Sequence, residues 1–158
     1  MWKQAESEGR MEQLNALKAH LLRFPLWGEQ PLKVDVREGK PEGCILFPLG
    51  LQVLARREDV LGNQVLRLRQ SFLLQRAAYA GETAASWLLQ LQQWLLQQPV
   101  EALTPSFGTD LRLWAEAGRM KNAKQPGTGI YEVKIYAEYE KEQENGKVPC
   151  NCGISCKS

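Results

Sequence analysis

The chain predicts an α+β domain, with an antiparallel or mixed sheet of four to five strands and two helices packed on one face. Three observations predict this. Apolar residues recur at spacings of three and four in two separate stretches, the period of an amphipathic helix. Apolar and polar residues alternate in other stretches, the period of a half-buried strand. The elements follow one another as helix, two or three strands, helix, two strands, an order that suits helices gathered on one side of a sheet.

The first helix is predicted over residues 11–24, where Met11, Leu14, Leu17, Leu21 and Leu22 form the apolar stripe and Pro25 stops the helix. Leu32, Val34 and Val36 alternate with Lys33 and Asp35 as a strand that Gly39 and Pro41 close. Residues 45–55 are apolar but interrupted by Pro48 and Gly50, which predicts a bent or edge strand. Residues 56–63 are polar and end in Gly62 and Asn63, a turn signal. A long strand follows, with Leu66, Leu68, Phe72 and Leu74 on one side and Arg67, Arg69 and Gln75 on the other; Ser71 and Leu73 break its alternation.

The second helix is predicted over residues 83–98, with Thr83 as N-cap and Pro99 as stop. Trp87, Leu88, Leu91, Trp94 and Leu95 share one face, so the tryptophans at one helical repeat read as core. Leu111, Leu113, Ala115 and Ala117 then alternate with Arg112, Trp114 and Glu116, and residues 118–129 form a glycine- and lysine-bearing connection. In the last strand Tyr131, Val133, Ile135, Ala137 and Tyr139 point one way, and Glu132, Lys134, Glu138 and Glu140 mostly the other. Residues 1–142 are thus expected as the domain and 143–158 as a flexible cysteine-containing tail.

Length and composition bound the function. At 158 residues the chain holds one core, burying roughly 70% of its unfolded surface. A net charge of +2 is far from the basic excess of a dedicated nucleic-acid binder. The N-terminus has no apolar signal region and no run long enough to span a bilayer, which places the chain in a cytoplasm. Cys150, Cys152 and Cys156 crowd the tail while Cys44 stands alone, unlike a secreted disulfide scaffold.

Catalytic chemistry finds little material. The one histidine, His20, reads as a surface or boundary residue of the first helix, and Asp35, Asp59 and Asp110 are scattered singly. Gly127 and Gly129 precede a strand and lack the helix N-terminus that receives a phosphate. The tail cysteines, with Cys44 as a conceivable fourth, could reach one zinc, but paired knuckles are missing and no metal or other cofactor is expected. Arg67 and Arg69 on one strand face, with Arg119, Lys121 and Lys124 in the connection, are the candidate contact residues of the chain; Trp114, on the polar side of its strand, marks an interface if exposed. As a basic surface they also support an alternative, a small nucleic-acid-binding or regulatory domain.

An N-terminal helix, the long strand ending in residues 72–79 (FLLQRAAY), the helix at residues 85–95 (ASWLLQLQQWL) and the final strand at residues 129–140 (GIYEVKIYAEYE) follow in a layout that resembles the tail terminator, or tail completion, proteins of long-tailed bacteriophages and prophages of Gram-positive bacteria. The resemblance covers about residues 11–141, and the cysteine tail has no counterpart in it. It implies a structural, non-enzymatic virion subunit, assembled in the host cytoplasm, that forms a ring, a hexamer, on the finished tail tube. Such a ring stops polymerisation of the major tail tube protein and presents the joining surface for the head-tail connector protein. DNA would meet it only in passing through the lumen, and no membrane is involved. One uncovered sheet face and an open edge suit such a role, since a head-to-tail contact closes into a ring when its rotation divides a full turn.

Overall fold

The computed structural model describes residues 2–28, 31–34, 44–79, 84–116, 119–121 and 128–143, with side chains described at 11–28, 31–34, 44–76, 86–116 and 130–143. Two helices, α1 (Trp2–Leu21) and α2 (Ala84–Gln97), and a short 3-10 turn (Glu101–Leu103) accompany six strands: β1 (Leu32–Val34), β2 (Cys44–Glu58), β3 (Gln64–Tyr79), β4 (Thr109–Ala115), β5 (Arg119–Lys121) and β6 (Thr128–Gln143). The sheet runs β1-β2-β3-β6-β4, and β5 pairs with β6 beyond the end of β4, so five strands lie abreast. Only β1 and β2 are parallel, which makes the sheet mixed, as its sequence predicts.

The long β3 and β6 pair antiparallel over their full lengths, from Gln64 opposite Gln143 to Tyr79 opposite Thr128. Period two then sorts both strands at once. Leu68, Phe72 and Leu74 of β3 and Val133, Ile135, Ala137 and Tyr139 of β6 are buried beneath the helices, joined by Leu111, Leu113 and Ala115 of β4. Leu14, Leu17 and Leu21 of α1 and Trp87, Leu88, Leu91 and Leu95 of α2 complete this core. Each buried leucine of this kind stabilises the fold by ~2 kcal/mol of removed apolar surface.

Aromatic rings tie the helices together. Phe24 meets Trp87 edge-on at 5.6 Å and Trp94 at 5.4 Å, and Trp27 lies 5.2 Å from Trp87. The Trp87 indole N–H donates to the Leu26 carbonyl at 2.7 Å, so the chain that leaves α1 is fastened to α2. The Tyr139 hydroxyl donates to Gln70 Oε1 at 3.2 Å and accepts from Gln13 Nε2 at 3.4 Å, a polar link through the core from sheet to α1. Gln70 is therefore buried at a core-facing position of β3, and it is Leu73, not Leu74, that faces outward.

Several expectations are corrected. α1 begins at Trp2, not at residue 11, because residues 2–10 are mostly good helix formers that need no apolar stripe to continue a helix. It ends at Leu21, before Pro25 can clash with it; Met11 and Leu22 are exposed, and Phe24 and Trp27 take the buried places. His20 is buried in the core, 4% exposed, against the Trp94 ring at 5.3 Å, and is not a surface or boundary residue. Residues 119–121 of the expected connection form β5, because β4 ends opposite Ile135 and the backbone of residues 130–132 needs a partner. Thr83, Asp35, Val36, Gly39, Pro41, Ala117 and residues 144–158, with the three tail cysteines, lie outside the described residues.

Gly108 is fixed by close approach. A Cβ there would fall inside contact distance of the Glu140 carbonyl oxygen and the Tyr139 ring, where backbone cannot yield. Gly108→Ala is expected to cost about 2 kcal/mol or more, read as a lower urea midpoint at unchanged m-value; an unchanged midpoint would contradict this packing.

Candidate assembly surface

The sheet face turned away from the helices carries the polar half of each alternation. Across it, Arg67 stands opposite Glu140, Arg69 opposite Glu138, Arg112 opposite Glu138, and Trp114 opposite Tyr136. Arg67 is the centre of an ion-pair cluster. Its Nε donates to Glu138 Oε1 at 3.0 Å and its Nη1 to Asp110 Oδ2 at 2.8 Å, with Glu140 at 3.8 Å. Burial pulls the guanidinium pKa down, but the bonds to Glu138 and Asp110 outweigh it and hold it above its ordinary value. Asp110 reaches this place because β4 is bulged there, with Asp110 at a φ of 51°, a left-handed conformation that Asp tolerates better than most residues.

Arg57 donates to Glu140 at 3.0 Å, and Arg69 lies 3.6 Å from Glu138. The Arg69 guanidinium also lies over two rings, 5.5 Å from the Trp114 centroid and 5.9 Å from that of Tyr136, which stack on each other at 5.5 Å. Tyr136 donates its hydroxyl to Glu116 at 2.6 Å, and this bond, with some burial, raises its pKa. Ile45, Phe47 and Leu73 give the face a half-buried apolar end.

Arg67, Arg69 and Trp114 are thus brought together, as a neutralised and aromatic surface. Arg119 and Lys121 are not with them: β5 pairs with Glu132 to Ile130, and Glu132 is six residues along β6 from Glu138, roughly 20 Å away at strand rise. Lys124 lies outside the described residues. Tyr136, Glu138, Glu140, Asp110 and Arg57 belong to the surface although they do not stand out in the sequence individually. The signal available for them was the second alternation, since carboxylates at 138 and 140 match guanidiniums at 67 and 69 on a neighbouring strand.

The other part of the surface is apolar. Among the described residues β1 pairs with β2 at Cys44, Ile45 and Leu46, and none pairs with the outer side of β2 from Phe47 to Glu58. Leu49, Leu51 and Val53 are 49%, 59% and 44% exposed there, and the turn beyond exposes Val60 and Leu61. That turn is firmly made: Asp59 Oδ1 accepts from the Leu61 and Asn63 amides, both at 2.9 Å, and Gly62 takes a φ of 85°. At the opposite margin an open groove of about 370 Å³ lies between β4 and the end of α2, lined by Leu95, Leu96, Val100, Leu111 and Leu113 among others. A second, more polar groove of about 410 Å³ runs from Glu12 and Gln13 past Thr104 to Glu142.

Among the described residues no group of three or more His, Cys, Asp or Glu side chains is placed to hold a metal ion. Cys44 is wholly buried, and burial, opposed in part by Arg76, pushes its thiol up to about 12. Among the described residues no helix is long and apolar enough to cross a membrane. The described residues define an α+β domain with a charge-balanced sheet face turned away from the helices and, among those residues, no strand beyond β4 or beyond most of β2. No known family model matches the chain, and no curated protein shows significant sequence similarity to it.

Two expectations follow from these contacts. Arg67→Ala leaves three converging carboxylates with one less cation and should lower stability by about 1–2 kcal/mol, a deficit that narrows in roughly 1 M salt as the repulsion is screened; thermal melts in low and high salt measure it. His20 has its pKa lowered, first by burial and then by Arg23, and its Nε2 has no hydrogen-bond partner among the described residues. The unfolded chain therefore takes up the proton first. Stability should be full above the ordinary value of 6.5 and fall as the pH drops below it, and His20→Phe should reduce that slope in urea titrations between pH 7 and pH 5.

Proposed function

We propose that the chain is a non-enzymatic ring subunit of a phage tail, a terminator that caps the tail tube, stops its polymerisation and presents the joining surface for the head connector. The observation that supports this reading is that, among the described residues, no strand pairs with the outer side of β2 beyond Leu46 or with the outer side of β4, and Leu49, Leu51 and Val53 are exposed along β2. Isolated exposed apolar residues are ordinary, but a row on an unpaired strand is a liability unless another chain covers it. A cyclic arrangement of identical copies sets one margin of each copy against the other margin of the next.

The chemistry of the open face points the same way. Arg67 and Arg69 are occupied by carboxylates, so they offer little net positive charge to phosphates, and DNA is left with a passive role in the lumen. The stacked Trp114 and Tyr136, half-buried and capped by Arg69, are residues of the kind enriched where proteins meet. The open face is assigned to the tube protein or the connector, and the margins to sister subunits. The natural test is the mass of the purified protein by light scattering over a concentration series, followed by its addition to growing tail tubes. A closed oligomer, with a hexamer as the expected number, that arrests tube growth supports the reading. A strict monomer that fails to bind tube ends overturns it.

A further inference from the structure

We infer that neighbouring copies join by strand addition, the free margin of β2 in one copy pairing antiparallel with the free margin of β4 in the next. This rests on the ring reading and names the surface that would close it. Residue levels across the sheet carry the argument. Trp114 is level with Tyr136, Ser71 and Gly50; Leu113 with Ala137, Gln70 and Leu51; Arg112 with Glu138, Arg69 and Gln52. The stretch of β2 that β1 leaves bare therefore stands at the same height as β4, at the opposite end of the sheet. Strand directions agree too. β2, β3, β6 and β4 alternate, so a copy set beside its neighbour in the same orientation brings β2 against β4 antiparallel.

Sidedness then selects the contacts. Leu51 and Val53 lie on the helix side of their sheet and are exposed. In the added position they enter the groove of the next copy between the end of α2 and β4, beside Leu113 and Leu111 and under Leu96, itself 66% exposed. On the open face Trp114 comes to lie opposite Gly50, where nothing stands within 4 Å of a Cβ position, so the indole can cover the glycine. Charges agree: the β2 margin continues into the exposed Arg56, and the β4 margin begins near Asp110, whose side chain is 59% exposed beside its bond from Arg67.

The pairing is short by construction. Register shifts at Pro48/Gly50 and Val53/Ala55 leave residues 50–53 as the regular part of the β2 margin, matched in length by residues 111–114. The bulges and Pro48 discourage longer, indiscriminate pairing at this edge. Within one copy β2 and β4 are separated by β3 and β6, roughly 14 Å at ordinary strand spacing, too far for a disulfide.

The test uses the full chain with Cys150, Cys152 and Cys156 changed to Ser, and Gln52→Cys combined with Arg112→Cys, both positions being exposed on the open face. Mild oxidation should produce a ladder of disulfide-linked oligomers ending at the ring, whereas either single substitution should give dimers at most. Leu51→Lys, at a position 59% exposed, should leave the circular dichroism of the subunit unchanged yet weaken self-association about tenfold or more. An oligomer by light scattering with no ladder and no effect of Leu51→Lys overturns strand addition and leaves the ring reading standing. A monomer at every concentration overturns strand addition, and one that also fails to bind tube ends overturns both.

Discussion

Everything in this molecule depends on the antiparallel ladder between β3 and β6. Two strands of sixteen residues each, paired without a register shift, impose one parity on the centre of the sheet. That parity sends Leu68, Phe72, Val133 and Ile135 toward the helices and Arg67, Arg69, Glu138 and Glu140 to the other face. A slip of one residue would bury the charges and expose the core, a change no surface substitution could offset. The helices, the aromatic bridge from Phe24 and Trp27 to Trp87, and the Gln13–Tyr139–Gln70 link all attach to a frame that this ladder already defines.

The same ladder sets one sheet face away from both helices. α1 and α2 each bury one stripe, and both stripes meet the same side of the sheet. The other side is stabilised laterally, by guanidiniums and carboxylates that neutralise one another across four strands. Such pairs contribute modestly to folding and keep the face from aggregating. The margins differ. Among the described residues β1 pairs with β2 at three positions, β4 has a strand on one side, and Leu49, Leu51 and Val53 are exposed. An assembly role is the simplest account of a sheet well made at its centre and unfinished at both ends.

Much of this was legible in the sequence. Alternation in residues 131–140 and 66–75 marks both central strands, and the three- and four-residue spacing of Leu88, Leu91 and Leu95 marks α2. What escaped has physical causes. Residues 2–10 are helical by propensity without an apolar stripe, so periodicity is blind to them. His20 looks polar in a one-dimensional reading and is buried only because Trp94, far along the chain, packs on it. Arg67 and Arg69 read as a basic pair because their acids, Asp110, Glu138 and Glu140, arrive from other strands. Arg119 and Lys121 read as loop because three residues are too few to show a period, and their pairing depends on where β4 stops.

Hydrogen exchange of the backbone amides at residues 50–53 and 111–114, followed from dilute to concentrated protein, addresses the central claim most directly. Both segments should gain protection together as subunits associate, while the amides shared by β3 and β6 stay slow throughout. Equal exchange of the two margins in monomer and oligomer would show that copies meet elsewhere, and the account of an unfinished sheet completed by its neighbours would then be wrong.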